Sequence, residues 1–259
     1  MSRRARVIFN WTDFYRFNAG LGLKWFVKGV NYWRLIEYPW AANHLRLAPG
    51  VKILDIGSAS YNLLPLLLAS DGYLVYATDI DPRLEQLKAV SPGDNLVIER
   101  ADATALPYKE AFFDRVSAIS TIEHIPDNGD SLAIRQMARV LKPGGRLVIT
   151  VPFSKKYRET FVQKGVYSRG YDGEPVFYQR HYDDAAISSR LVEPSGLNLI
   201  DSEYFGERHL QFESLFDRLP LVATIPFRWL MPIFTKLFTV RLNEDTHDKA
   251  MAACLVFEK

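Results

Sequence analysis

A chain of 259 residues, 48% hydrophobic and 24% charged, holds one large α/β domain or one domain with a small appendage. Its net charge of +2 is too small to imply a nucleic-acid partner. The one cysteine, Cys254, excludes a disulfide framework and a thiolate metal cluster, and its apolar surroundings read as a buried strand in a reducing compartment.

The first fifteen residues are basic but carry no long apolar core, so they do not read as a secretory signal, and a cytoplasmic protein is expected. Residues 1–50 are rich in aromatics, among them Trp11, Phe14, Trp25, Tyr32, Trp33, Tyr38 and Trp40. Residues 31–47 read as an amphipathic helix broken at Pro39, and Pro49 and Gly50 as a turn. Two readings stand for this segment: a cover for the sheet edge, or a lid over a bound ligand.

Residues 51–67 organise the chain. Val51, Ile53, Leu54 and Ile56 read as a buried parallel strand. The small residues Gly57, Ser58, Ala59 and Ser60 form a loop, and Leu63 to Leu68 have helical spacing. This is the first half of a βαβ unit, with its loop at the strand end where open α/β sheets bind ligands. Asp55 decides which ligand. A carboxylate two positions before Gly57 would repel a pyrophosphate and suits a cationic end. S-adenosylmethionine has an ammonium and a sulfonium.

The stretch resembles motif I of class I S-adenosylmethionine-dependent methyltransferases, an acidic residue followed by alternating glycines. Asp55 and Gly57 match; Ala59 and Tyr61 stand where that family often has its second and third glycines.

The next strand, residues 73–79, ends in Asp79, about twenty positions past the loop and within reach of ribose hydroxyls. Asp81, before Pro82, reads as a helix cap. The third strand, 95–101, runs into Asp102 and Ala103, where the family holds the adenine. Asp114 reads as a turn residue before the fourth strand, 115–120. Residues 121–126 then form the loop that faces the sulfonium in that family, with Glu123 and His124 as its polar members. A helix over 130–141 ends in Lys142, Pro143, Gly144 and Gly145, with Gly144 in the left-handed cap, and strand 146–151 follows. The resemblance covers roughly residues 50–152.

Beyond Pro152, residues 153–182 read as a long polar and aromatic loop containing His181. A helix over 183–193 capped by Asp183 and a sixth strand over 197–200 follow. The last strand, 250–257, is antiparallel in the family and lies between strands five and six. Residues 206–247 read as an apolar insertion with Arg218, Arg228, Lys236 and Arg241 set among aromatics. No uncharged run reaches the roughly twenty residues of a membrane span. The insertion has three readings: a cap over an apolar acceptor, an interfacial membrane patch, or a homodimer contact.

The resemblance implies a three-layer Rossmann-like α/β fold with a mostly parallel seven-stranded sheet and an antiparallel last strand. The expected organisation is a helical lid over 1–50, a core over 51–205 and 248–259, and the insertion over 206–247. The implied activity is in-line methyl transfer from S-adenosyl-L-methionine to a small, partly hydrophobic acceptor, without a metal. Expected cofactor contacts are Asp55, Gly57, Ser58, Ala59, Asp79, Ile80, Asp102, Ala103, Ser120 and Glu123. If the acceptor is a hydroxyl, His124 and His181 are the candidate bases. The alternatives are a cofactor-binding partner subunit without turnover, a membrane-peripheral lipid methyltransferase and, most distant, a nicotinamide dehydrogenase.

Overall fold

The computed structural model describes residues 16, 17, 19, 20, 22, 31–59, 62–163, 175–208, 224, 227, 230–243 and 246–259. Strand β1 (Lys52–Ile56) lies between β2 (Leu74–Asp79) and β4 (Phe113–Ile119), parallel to both. β3 (Leu96–Arg100) extends the sheet beyond β2, and β5 (Leu141–Pro152) extends it beyond β4. The continuous apolar run in β1 is explained by burial on both faces. Ile53 packs into one core with α1 (Arg34–His44) and α2 (Leu64–Ser70), while Leu54 and Ile56 pack into the other with α3 (Gly129–Val140). Three layers result.

After β5 comes a separate hairpin, β6 (Arg158–Val162) with β7 (Val176–His181). The expected loop over 153–182 is therefore partly strand. Its β-branched and aromatic ends, Thr160 to Val162 and Val176 to Tyr178, pair across a glycine-containing centre. Helix α4 (Asp184–Ile187) starts at Asp183, whose carboxylate accepts from the Ala186 N–H, as the sequence predicts. A π turn (Ser188–Val192) and a short helix (Glu193–Ser195) lead to Gly196 and β8 (Asn198–Glu207). Then come α5 (Met231–Phe238), β9 (Thr239–Leu242) and β10 (Ala252–Glu258).

β10 is antiparallel to β5 on one side and to β8 on the other, so the last strand lies where the family places it. The sheet has eight strands rather than seven, in the order β3-β2-β1-β4-β5-β10-β8-β9. The extra strand comes from the segment expected to be an insertion. β8 runs on to Glu207, well past the four residues expected, and offers an unpaired edge that β9 covers from Tyr204↔Leu242 to Glu207↔Thr239. Gly144 also departs from expectation. It has φ +72, but α3 ends at Val140 and β5 begins at Leu141. Pairing jumps from Phe113↔Leu141 to Arg115↔Arg146, so Gly144 turns a strand irregularity rather than capping the helix.

Pro39 does not break α1. The helix is held from outside itself. Tyr38 and Leu45 are fully buried, and the Tyr38 hydroxyl accepts from the Leu63 N–H. At its C-terminus, Arg115 donates to the carbonyls of Leu45 and Arg46 and Arg146 to that of His44, satisfying acceptors the helix leaves open. In α5, Met231 and Thr235 are buried, whereas Ile233 and Leu237, like Leu230 just before the helix, are exposed. No helix among the described residues is long and apolar enough to cross a membrane.

His44 of α1 stands 3.4 Å from Glu203 and 3.6 Å from Asp201 of β8. The bond to Glu203 raises the imidazole pKa above its ordinary value, against a smaller opposing effect of burial. The protonated ring's contribution is then complete below the ordinary imidazole value and disappears as pH rises through the raised one. The ring is partly solvated, so the effect is modest. We expect His44→Gln to lose at most about 1 kcal/mol relative to the wild type near pH 5.5, and nothing near pH 8.5. Urea unfolding at the two pH values measures this; an equal loss at both would assign His44 a packing role alone.

Candidate active site

The carboxyl ends of β1, β2, β3 and β4 meet around the loop after β1. Gly57 turns the chain there with φ +82. A Cβ at this position would lie 2.1 Å from Thr121 Oγ1, so only glycine lets the loop approach the end of β4. The N–H groups of Gly57 and Ser58 both donate to the Thr78 carbonyl. Behind the loop Asp55 is fully buried. It accepts from Ser58 Oγ at 2.7 Å, Asn62 Nδ2 at 2.8 Å and Ser117 Oγ at 2.6 Å. Burial pushes its pKa up to about 6 against those hydrogen bonds.

Asp79 ends β2. Its two oxygens accept from the Ala59 N–H at 2.9 Å and the Asp81 N–H at 2.8 Å, while burial raises its pKa. Asp81 in turn caps a 3₁₀ helix (Pro82–Val90) through the Arg83 N–H. Asp79 opens onto a first cleft of about 690 Å³, shared with Gly57, Ile80, Asp102, Ala103, Thr121 and His124. Asp102 stands at the end of β3 and accepts from the N–H and hydroxyl of Thr104.

A second cleft, of about 940 Å³, lies beside the first. α1 lines it with Arg34 and Glu37, the ends of β4 and β5 with Ser120, Glu123 and Phe153, and the hairpin with Arg158, Tyr178, Gln179 and His181. His124 lines both clefts. Ser120 has φ +45, unusual for serine, and is held there by bonds from its N–H to Thr150 and from its hydroxyl to Glu37. Glu37 is buried, accepts from Ser120, Thr150 and Arg34, and pairs with the Arg34 guanidinium at 2.6 Å.

One carboxyl and two imidazoles here are perturbed. Burial pushes the Glu123 carboxyl up to about 8, opposed by its own backbone N–H and by Arg34 and reinforced by Glu37. Burial lowers the His124 pKa, and its Nδ1 lies 2.8 Å from the Tyr178 carbonyl. A carbonyl only accepts, so Nδ1 carries the proton and Nε2 keeps its lone pair. His181 is pushed down to about 4 by burial and by the Arg158 guanidinium, which donates to its Nδ1.

A family described as a methyltransferase domain matches residues 54–149. These residues form a methyltransferase domain. A 27-O-demethylrifamycin SV methyltransferase of Amycolatopsis mediterranei is 35% identical over 42% of this chain and 41% of its own length. A ubiquinone/menaquinone biosynthesis C-methyltransferase of Hahella chejuensis is 35% identical over 41% and 44%. The chain spans less than half the length of the curated relatives it matches. A methyltransferase structure from Methanosarcina mazei shares the fold, with TM-score 0.55 and 20% identity over 86% of this chain and 97% of its own.

The methyltransferase domain brings together Gly57, Asp79, Ile80, Asp102 and Ala103, all expected as cofactor contacts, in the first cleft. Asp55 stands behind the loop and Ser58 and Ala59 within it, and none of the three lines either cleft. Ser120 and Glu123 line the second cleft, as does His181. Sequence reasoning missed Glu37, Arg34, Thr121 and Arg158. No local pattern marks Arg34, Glu37 or Arg158, because they reach the site through tertiary contacts. None of the described residues of 206–247 lines either cleft.

Gly57→Ala tests the loop. Left-handed strain and overpacking against Thr121 together predict a loss of roughly 2–4 kcal/mol, with weakened S-adenosylhomocysteine binding in whatever remains folded. Adding Thr121→Ala relieves the Oγ1 and Cγ2 contacts and recovers part of that loss in thermal melts. Wild-type stability in the single mutant would refute the close approach.

Proposed function

We propose that this chain transfers a methyl group from S-adenosyl-L-methionine to a small-molecule acceptor held in the second cleft. The observation that carries this reading is that two adjoining clefts share His124, with Asp79 and Asp102 on one side and ionisable and hydrogen-bonding groups on the other. The first cleft suits the nucleoside. Asp79 keeps lone pairs beyond its two N–H partners for ribose hydroxyls, and Asp102 stands at the adenine end. Gly57 leaves room where a side chain would intrude. Bound S-adenosylmethionine supplies an electrophilic methyl sulfonium; the protein supplies alignment and exclusion of water.

The second cleft suits an acceptor with polar and apolar portions, since Phe153, Val151 and Met251 line it together with Arg34, Glu37, Arg158 and Gln179. The names of the two relatives support a small-molecule acceptor and differ in the atom methylated, oxygen in one and carbon in the other. Of the two histidines His124 is the better proton acceptor. It is neutral, its Nε2 is available, and it stands at the junction. His181 spends Nδ1 on Arg158, and a group titrating near 4 is a weak base at neutral pH. Ala59 is a buried loop residue with its N–H on Asp79 and does not line the cleft, so this departure from motif I leaves the cleft open and speaks against a subunit that has lost turnover.

Thermal melts with S-adenosylmethionine, S-adenosylhomocysteine and a nicotinamide dinucleotide test the reading. We expect the first two to raise the melting temperature and the third to leave it unchanged. Asp79→Ala should weaken S-adenosylhomocysteine binding by roughly 1–3 kcal/mol in calorimetry, through lost charge-assisted hydrogen bonds. No shift with either sulfur ligand, or unchanged affinity in the folded mutant, would overturn the assignment of the first cleft.

A further inference from the structure

Glu123 is the most conspicuous group in the second cleft. Its side chain is 1% exposed, yet it lines the cleft, and Oε2 has no hydrogen-bond partner among the described residues. A buried carboxyl oxygen without a partner is costly, and native structures rarely leave one unless a ligand or catalytic role uses it. Its other oxygen, Oε1, lies 3.8 Å from His124 Nε2, the ring nitrogen that holds a lone pair. The two groups therefore face each other where the two clefts meet.

We propose that Glu123 and His124 act as one proton-accepting pair and that the methyl acceptor presents a hydroxyl group to it. This rests on the methyl-transfer reading above and names the acceptor's chemistry. The hydroxyl O–H bond breaks and its proton passes to the pair. The acceptor's electron pair forms the new bond to the methyl carbon, and the S–CH₃ bond pair stays on sulfur as the sulfonium becomes a neutral thioether. The proton comes to rest on Glu123, the stronger base of the two. Burial favours the neutral acid there, while the same burial and Arg34 disfavour imidazolium on His124.

The groups that face Glu123 agree with this. From α1, Arg34 favours its ionised form and Glu37 opposes it. His124 lies in its own turn, and Tyr182, after β7, keeps its hydroxyl proton on Asp130. Arg34 is already paired with Glu37 at 2.6 Å, so it does not neutralise Glu123 completely. The working form at neutral pH is then a minority form, and turnover should rise with pH until Glu123 is ionised.

The experiment has two arms. In the S-adenosylhomocysteine complex, carbon-13 NMR of labelled glutamate carboxyls should show one resonance titrating near 8, absent from both Glu123→Gln and Glu123→Asp. Glu123→Gln mimics the protonated acid, so the His124 titration, which lies below that range, should not move. In the second arm, radiolabelled methyl transfer from S-adenosylmethionine to the low-molecular-weight fraction of source cells is followed against pH. Wild-type turnover should rise about tenfold per unit below the Glu123 titration. Glu123→Gln should lose roughly 10²–10³ in turnover and all of that rise, with S-adenosylhomocysteine affinity retained. His124→Ala should be slower but keep the rise. A glutamate resonance that titrates only in the ordinary carboxylate range overturns the proposal, and so does loss of S-adenosylhomocysteine binding in folded Glu123→Gln. Failure of the wild type to bind S-adenosylhomocysteine would instead strike the methyl-transfer reading itself.

Discussion

The buried carboxyl of Asp55 is the constraint on which the rest of the site depends. Taking a carboxyl out of water is expensive unless hydrogen bonds replace the lost hydration. Here the replacements come from three places in the chain: Ser58 in the loop, Asn62 before α2 and Ser117 in β4. Satisfying one group therefore fixes the loop to the sheet. Asn62 carries the connection further, because its Oδ1 accepts from the Leu64 N–H at the start of α2. The loop so held leaves Gly57 against Thr121 and turns the Ala59 N–H onto Asp79. Asp55 was expected to meet the cofactor's cationic end. Its geometry instead makes it the post to which the loop after β1 is tied.

A second set of polar contacts turns the N-terminal helix from a lid into a wall. Glu37 reaches the ends of β4 and β5 through Ser120 and Thr150, Arg34 donates to the Ile119 carbonyl, and arginines from β4 and β5 satisfy the helix carbonyls. Each buried charge in this set has an opposite charge or several donors beside it, which is the condition under which such groups persist. Cover and site wall are thus the same element. Tyr38 and Leu45 face the core, while Arg34 and Glu37, on the neighbouring face, line the second cleft.

Much of the framework was legible because it rests on local pattern. The apolar strands, the small-residue loop, the acidic strand ends Asp79 and Asp102, and the caps Asp81 and Asp183 stand where the sequence places them. β9 was not legible. Four residues are too few to show a period, and the strand exists because β8 overruns and leaves an edge to be covered. The hairpin was hidden for a similar reason, since β6 carries mostly exposed residues and β7 shows no period-two alternation of polar and apolar side chains.

The sequence by itself determined the α/β fold class, the positions of the parallel strands and the acidic residues at their carboxyl ends. These follow from hydrophobic period and from spacing within one βαβ unit, which depend on neighbours a few residues apart. Only the tertiary structure decided the second cleft. Its walls come from α1, the ends of β4 and β5 and the hairpin, with lining residues spread from Asn31 to Ala252. The choice among its ionisable groups is likewise tertiary. His124 and His181 are equivalent in sequence, but one places its Nδ1 proton on a carbonyl and the other gives its Nδ1 lone pair to an arginine. Glu123 is an ordinary glutamate until burial removes its water. Desolvation depends on everything packed around a group, and no local pattern in the chain records it.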